Sequence, residues 1–102
     1  MTEVRSLVGL VDYQDGAVVS KTMVKKAKGT VTLFAFDAGQ SLSEHTVPHD
    51  ALVHVVDGEA EISVAGRPYR LTAGEVIVMP GGEPHSVAAH SRFKMVLTMI
   101  RA

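Results

Sequence analysis

Apolar and polar residues alternate in short stretches along most of the chain, and turn-forming residues separate these stretches. The first two stretches, residues 18–24 and 30–36, are rich in β-branched and aromatic side chains and flank a lysine-rich turn. The other stretches with this pattern are residues 52–56, 60–64, 69–71, 75–79, 87–89 and 93–100. Short strands with turns roughly every eight to twelve residues are typical of antiparallel sandwiches and barrels. The pattern therefore predicts an all-β fold.

Alternation within a strand also predicts which side chains face the interior, since neighbouring residues point to opposite faces of a sheet. In the last stretch we assign one face to the interior, namely Phe93, Met95, Leu97 and Met99. The opposite face is assigned to Lys94, Val96, Thr98 and Ile100. Apolar outward positions such as Leu52, Val56, Val96 and Ile100 would form a large patch in water. We therefore predict that two copies pair into a homodimer.

Composition supports one small domain covering residues 1–102, because this length provides for a single core. The formal net charge is -1, so no broad field attracts nucleic acid or an anionic membrane. No apolar run approaches the roughly 20 residues that span a bilayer, and we predict partners of neither kind. The N-terminus shows no secretory leader and the chain has no cysteine, so we predict a cytoplasmic location.

Two runs of the sequence each combine glycines, a predicted strand and at least one histidine. In the later run Gly74, Pro80, Gly82 and His85 connect a short apolar strand to a turn that delivers one histidine onto the next strand. Turns of this kind aim a ligand at the interior of a β-barrel. In the earlier run Gly39 precedes His45, and the run ends at a second glycine, Gly58.

Together the two runs resemble the two signature motifs of the cupin superfamily. The later motif matches except at its last position, where Ala89 replaces the family's Asn. In the earlier motif Val47 stands in place of the second histidine and Ala51 in place of the glutamate. The resemblance implies a small single-domain cupin with a double-stranded β-helix, or jelly-roll, barrel. It also implies that the usual four-ligand metal site is incomplete.

The histidines of these motifs are the candidate site residues. By the resemblance His85 faces the barrel interior, and His45 is expected to share the same pocket. Unbroken alternation would direct His49 inward, whereas a bend at Pro48 would move it to the barrel mouth, and both alternatives stay open. We predict a metal site formed by His45, His49 and His85, with a divalent ion (Zn, Fe, Mn or Ni) at low occupancy. His54 and His90 are expected to point outward.

Three functions fit these residues, and the sequence assigns no catalytic group. The first and preferred one is a barrel that binds a small molecule in its interior, with a weak divalent metal site. The second is a metal-dependent cupin enzyme, resembling sugar-acid isomerases and lyases or dioxygenases. The third is a dimeric structural protein that has lost the site. Whether the chain is an enzyme stays open at this point, as does the identity of the ligand.

Overall fold

The computed structural model describes residues 2–101, and within this range the regular structure consists of eight β-strands. The strands are β1 (Val18–Lys26), β2 (Gly29–Phe36), β3 (Ser41–His45), β4 (Asp50–Val64), β5 (Arg67–Thr72), β6 (Val76–Met79), β7 (His85–Ala88) and β8 (Phe93–Ile100). The all-β prediction is confirmed. Across the described residues we find no helix that is long and apolar enough to cross a membrane.

All strand pairs are antiparallel, and the sheet curls into a barrel around strand β4. The first half of β4 pairs with β8 and β6, and its second half pairs with β7 and β5. Strands β1 and β2 extend one side beyond β8, while β3 extends the other side beyond β7. This is the jelly-roll arrangement expected from the sequence, and β4 belongs to both sides of the barrel.

Strand β4 is one continuous element, whereas the sequence predicted two strands at residues 52–56 and 60–64. The prediction of a break was wrong because Gly58 bends the strand without ending it. Its φ of 74° lies in the left-handed region, and the register with β8 shifts between Val55 and Asp57. A residue without Cβ can adopt this conformation, and a bulge of this kind turns a strand from one side of a barrel to the other.

Apolar side chains from several strands fill the barrel interior. Val53, Val55, Ile62 and Val87 are buried together, and Phe93 stacks on Phe36 with ring centroids 4.6 Å apart. Met95 is also fully enclosed. The predicted interior face of β8 is thereby confirmed. Because these side chains are closely packed, the barrel provides a rigid frame for groups placed on its inner surface.

The segment before β1 packs on the outside of the barrel and covers part of the outer sheet face. Val11 is buried against Leu33 and Ala35, and Val56 and Val96 pack against the same cluster. Val56 and Val96 thus face outward as predicted, but the N-terminal segment and not a second copy covers them. The sequence pattern of the strands carries no information about a segment that lies across them.

Lys94 also occupies this covered face, and only 8% of the residue is exposed. Its Nζ donates a hydrogen bond to the carbonyl oxygen of Val8 over 2.6 Å and lies 4.9 Å from the centre of the Tyr13 ring. The Tyr13 hydroxyl in turn donates to Asp57. A buried ammonium group needs such partners, and here they attach the N-terminal segment to β4 and β8.

Candidate functional site

An apolar cavity of about 50 Å³ lies inside the barrel where β3 and β7 face β4, β6 and β8. Its lining consists of small or apolar side chains and two imidazoles, namely Leu42, His45, Ala51, Met79, His85, Val87, Met95, Leu97 and Met99. The two histidines are the only ionisable groups in this lining. A mostly apolar cavity with a few converging polar groups has the general character of a ligand site.

A larger groove of about 250 Å³ lies on the outside of the barrel, between β5 and β6. Its charged side chains already have partners within the chain. Arg70 forms an ion pair with Glu59 at 2.8 Å, and the Glu75 carboxylate accepts a hydrogen bond from the backbone N–H of Thr72. We therefore take the interior cavity as the candidate site, since its two imidazoles face each other and have no charged partner in the cavity lining.

His45 and His85 meet at the edge of this cavity. His45 is the last residue of β3, His85 is the first of β7, and the two residues are directly paired in the sheet. Their Nε2 atoms are 3.1 Å apart, and the two rings meet edge to face with centroids separated by 4.3 Å. His85 is buried and His45 is exposed on its outer side. The pair thus connects the cavity with the surface.

Backbone carbonyl groups orient both imidazoles from behind. Nδ1 of His45 lies 2.8 Å from the carbonyl oxygen of Ser43, and Nδ1 of His85 lies 3.4 Å from that of Glu83. A carbonyl oxygen only accepts, so Nδ1 of His45 carries a hydrogen and its Nε2 presents a lone pair when the ring is neutral. Two such lone pairs facing each other repel. A hydrogen on Nε2 of His85, a shared proton or a cation must therefore lie between them.

The environment of His85 favours its neutral form. Burial lowers the pKa of His85 below its ordinary value, and the neighbouring His45 lowers it further because two positive imidazoles repel each other. The bond to the Glu83 carbonyl works in the opposite direction and is the smaller effect. A neutral imidazole is the form that accepts a hydrogen bond or binds a metal ion.

The residues of this site do not fit the four-ligand metal centre that the cupin resemblance implies. Val47 and Ala51 occupy two of the four ligand positions and offer no donor atom. His49 lies between β3 and β4 and is not part of the cavity lining. Within residues 2–101 no group of three or more His, Cys, Asp or Glu side chains is placed to hold a metal ion. The structure thus brings together His45 and His85 and leaves His49 apart.

Met79 is a residue of this site that no sequence pattern indicated. Its strand, β6, is short, and only the tertiary register determines which of its residues face inward. Met79 is paired with Ala51 from one side, and Met99 is paired with Ala51 from the other. Ala51, which stands where the cupin motif has its glutamate, is therefore flanked by two residues with thioether groups.

The remaining two histidines point away from the cavity, as predicted. His54 lies on the outer face of β4, between Val76 of β6 and Val96 of β8. His90 follows β7, and its Nε2 lies 3.1 Å from the carboxylate of Glu61. Neither contributes to the candidate site.

Comparisons with known proteins agree with the fold and the motif pattern. A family described as cupin domain matches residues 32–101. A conserved protein of unknown function from Streptococcus pyogenes has a similar structure, with 33% identity, a TM-score of 0.95, and coverage of 100% of this chain and 90% of that one. A cupin 2 conserved barrel domain protein from Leptotrichia buccalis is 41% identical with a TM-score of 0.89, over 92% of this chain and 46% of that one.

A third similar structure is a cupin superfamily protein from Desulfitobacterium hafniense. It is 25% identical, with a TM-score of 0.94, and the match covers 100% of this chain and 94% of that one. The comparison with curated proteins found no match.

Proposed function

The chain belongs to the cupin family, and we propose that it is a single-domain cupin, residues 1–102, whose interior cavity binds a small molecule. The observation that carries this proposal is the pair of imidazoles at the edge of an otherwise apolar cavity. The pair supplies a hydrogen-bonding and proton-holding centre, and the apolar wall accepts the body of the guest. We assign no reaction to the site.

The cavity volume limits the size of the guest. A volume of about 50 Å³ corresponds to roughly four water-sized groups, if each needs about 10–15 Å³. Drug-sized ligands occupy cavities of roughly 300 Å³ or more. The proposed guest is therefore a molecule of a few non-hydrogen atoms, or the short end of a larger molecule that reaches in past His45.

The chemistry of the guest follows from the histidine pair. When the two Nε2 atoms share one proton the pair carries a positive charge, and this charge attracts a carboxylate that enters the cavity. Leu42, Val87 and Leu97 then contact the alkyl part of the guest. A small carboxylic acid is accordingly the class of ligand that the cavity suits best.

This proposal is tested by the thermal unfolding of the metal-free protein with and without propionate. We expect propionate to raise the unfolding midpoint of the wild type, because a ligand that binds only the folded state stabilises it. Propanol, which has a similar size but no charge, should raise it less. The increase should disappear in His45→Gln and His85→Ala and persist in His54→Ala. An equal increase in His45→Gln would contradict the proposed site.

A weak divalent ion (Zn, Fe, Mn or Ni) is the second candidate occupant of the site. Two Nε2 atoms that are 3.1 Å apart are close enough to bind the same ion, and their Nδ1 atoms are held from behind as in metal sites. The absence of a carboxylate in the cavity lining makes such binding weak, since nothing offsets the second positive charge. A cupin enzyme and a structural protein without a site stay alternatives, as does the predicted cytoplasmic location.

We also propose that two copies form a homodimer through the uncovered part of the outer sheet face. The N-terminal segment covers Val56 and Val96, but Leu52, Val78 and Ile100 stay exposed, the last with 62% of its surface accessible. Leu52 and Val78 are paired neighbours, so they form a continuous apolar area. The residues paired with Leu52 on its two neighbouring strands, Val78 and Thr98, are uncharged, which suits a second copy better than a charged partner.

Sedimentation velocity at micromolar concentration tests the dimer. We expect the wild type to sediment as a dimer and Leu52→Lys or Val78→Lys to sediment as monomers, because each substitution puts two like charges near the symmetry axis. Val4→Lys is the control, since Val4 is a fully exposed apolar residue outside the strands. A monomeric wild type would contradict the proposal.

A further inference from the structure

The thioethers of Met79, Met95 and Met99 form a second set of donor atoms in the interior cavity. We infer that the cavity is a binding site for a soft monovalent ion, Cu(I), held by His45 and His85 together with methionine sulfur. The inference rests on the proposal that this cavity is the binding site, and it does not depend on an organic guest.

The position of the sulfur donors supports this assignment. Ala51 stands where the cupin motif has its glutamate, and Met79 and Met99 are its direct partners on the two neighbouring strands. Directly paired side chains on one face of a sheet start from Cβ atoms about 4.5–5.5 Å apart. The small side chain of Ala51 therefore leaves space that the two longer side chains flank. The loss of the carboxylate and the presence of the sulfurs occur at the same place.

The thioether donors favour Cu(I) over divalent ions. Thioether sulfur is a soft ligand that favours Cu(I), whereas divalent ions such as Mn, Fe and Zn are typically bound by sites with carboxylates or more imidazoles. Three of the five methionines in the sequence line this one cavity, and Met95 is fully buried. Methionine also serves as a flexible filler of irregular cores, a role that leucine fulfils equally well. A methionine that only fills space can be replaced by leucine with little effect, whereas replacing a methionine that binds copper removes a ligand.

The lack of negative charge in the cavity also favours the monovalent ion Cu(I). Its lining contains two imidazoles and no carboxylate, so it is neutral when both rings are neutral. The cost of moving an ion from water into a medium of low polarity grows with the square of its charge, and an unpaired divalent ion is therefore disfavoured far more than a monovalent one. Carbonyl oxygens of Ser43 and Glu83 orient the imidazoles and leave the Nε2 atoms available.

The inference is tested with Cu(I) alone, added to the full chain without oxygen in competition with bicinchoninate, whose Cu(I) complex is coloured. We expect one equivalent of Cu(I) per chain to be withdrawn from the dye, and an excess of Zn(II) should not displace it. Met79→Leu and Met99→Leu preserve side-chain volume and should each weaken Cu(I) binding at least about tenfold. Met23→Leu is the control, since Met23 lies exposed on β1.

X-ray absorption at the copper edge provides a second measurement that does not depend on variants. We expect at least one sulfur neighbour of the copper in the wild type and fewer sulfur neighbours in the Met79→Leu, Met99→Leu double variant, in which Met95 alone keeps its sulfur in the cavity. Failure to withdraw Cu(I) from the dye, unchanged affinity in the double variant, or nitrogen and oxygen neighbours alone would each overturn the inference. Propionate stabilisation of the metal-free protein is measured separately, so failure of the Cu(I) site is distinguishable from failure of the proposed function.

Discussion

Gly58→Ala is expected to lower the free energy of unfolding by about 2–5 kcal/mol, the sum of a left-handed backbone cost and an overpacking cost. The φ of Gly58 is 74°, and a Cβ at this position would lie 2.2 Å from the carbonyl oxygen of Arg92. Both the bend of β4 and its pairing with β8 at Phe93 would have to shift. For a domain of about 100 residues this corresponds to a melting temperature lower by roughly 10–30 °C.

Gly66→Ala separates the two contributions to this loss. Gly66 has a similar φ of 79°, but a Cβ there would meet nothing within 4 Å. This variant should lose only the backbone part, about 1–2 kcal/mol. Thermal and urea unfolding of both variants measure the difference. Equal losses in the two variants would show that the close approach of β4 and β8 at Gly58 has no energetic weight.

The double substitution Val47→His, Ala51→Glu is expected to raise the affinity for Zn(II) about 100-fold or more, which corresponds to about 2.7 kcal/mol. Ala51 lines the same cavity as His45 and His85, so a glutamate there adds a carboxylate to the two imidazoles. The carboxylate supplies the negative charge that a divalent ion needs in an apolar surrounding. Titration calorimetry of the wild type and the double variant measures the change.

Val47→His, Ala51→Gln is the matched control for this experiment. The glutamine has the size of glutamate and an oxygen donor but carries no charge, so most of the gain in Zn(II) affinity should be lost. If the glutamate variant shows no gain, the barrel geometry at these positions differs from that of metal-binding cupins. If both variants gain equally, the number of ligands and not the charge of the cavity limits divalent binding.

The sequence by itself determined the fold class, most strand positions and the identity of the two histidines. These features depend on local information: the two-residue alternation of strands, the turn residues between them and the spacing of Gly74, Pro80, Gly82 and His85. The last strand was predicted with its observed bounds, residues 93–100, and with its interior face. Local chemistry decides these features because each strand must present an apolar face to the core wherever it lies.

Only the tertiary structure decided which groups meet. The contact of His45 with His85 and the placement of Met79 beside Ala51 depend on pairing between strands that are distant in the sequence. The burial of Lys94 depends on a segment that crosses the outside of the sheet. Alternation assigns each side chain to a face of its own strand, but it does not tell which residue of a distant strand lies opposite that side chain. The separation of His49 from the pair has the same origin, because the bend before β4 ends the alternation that begins in β3.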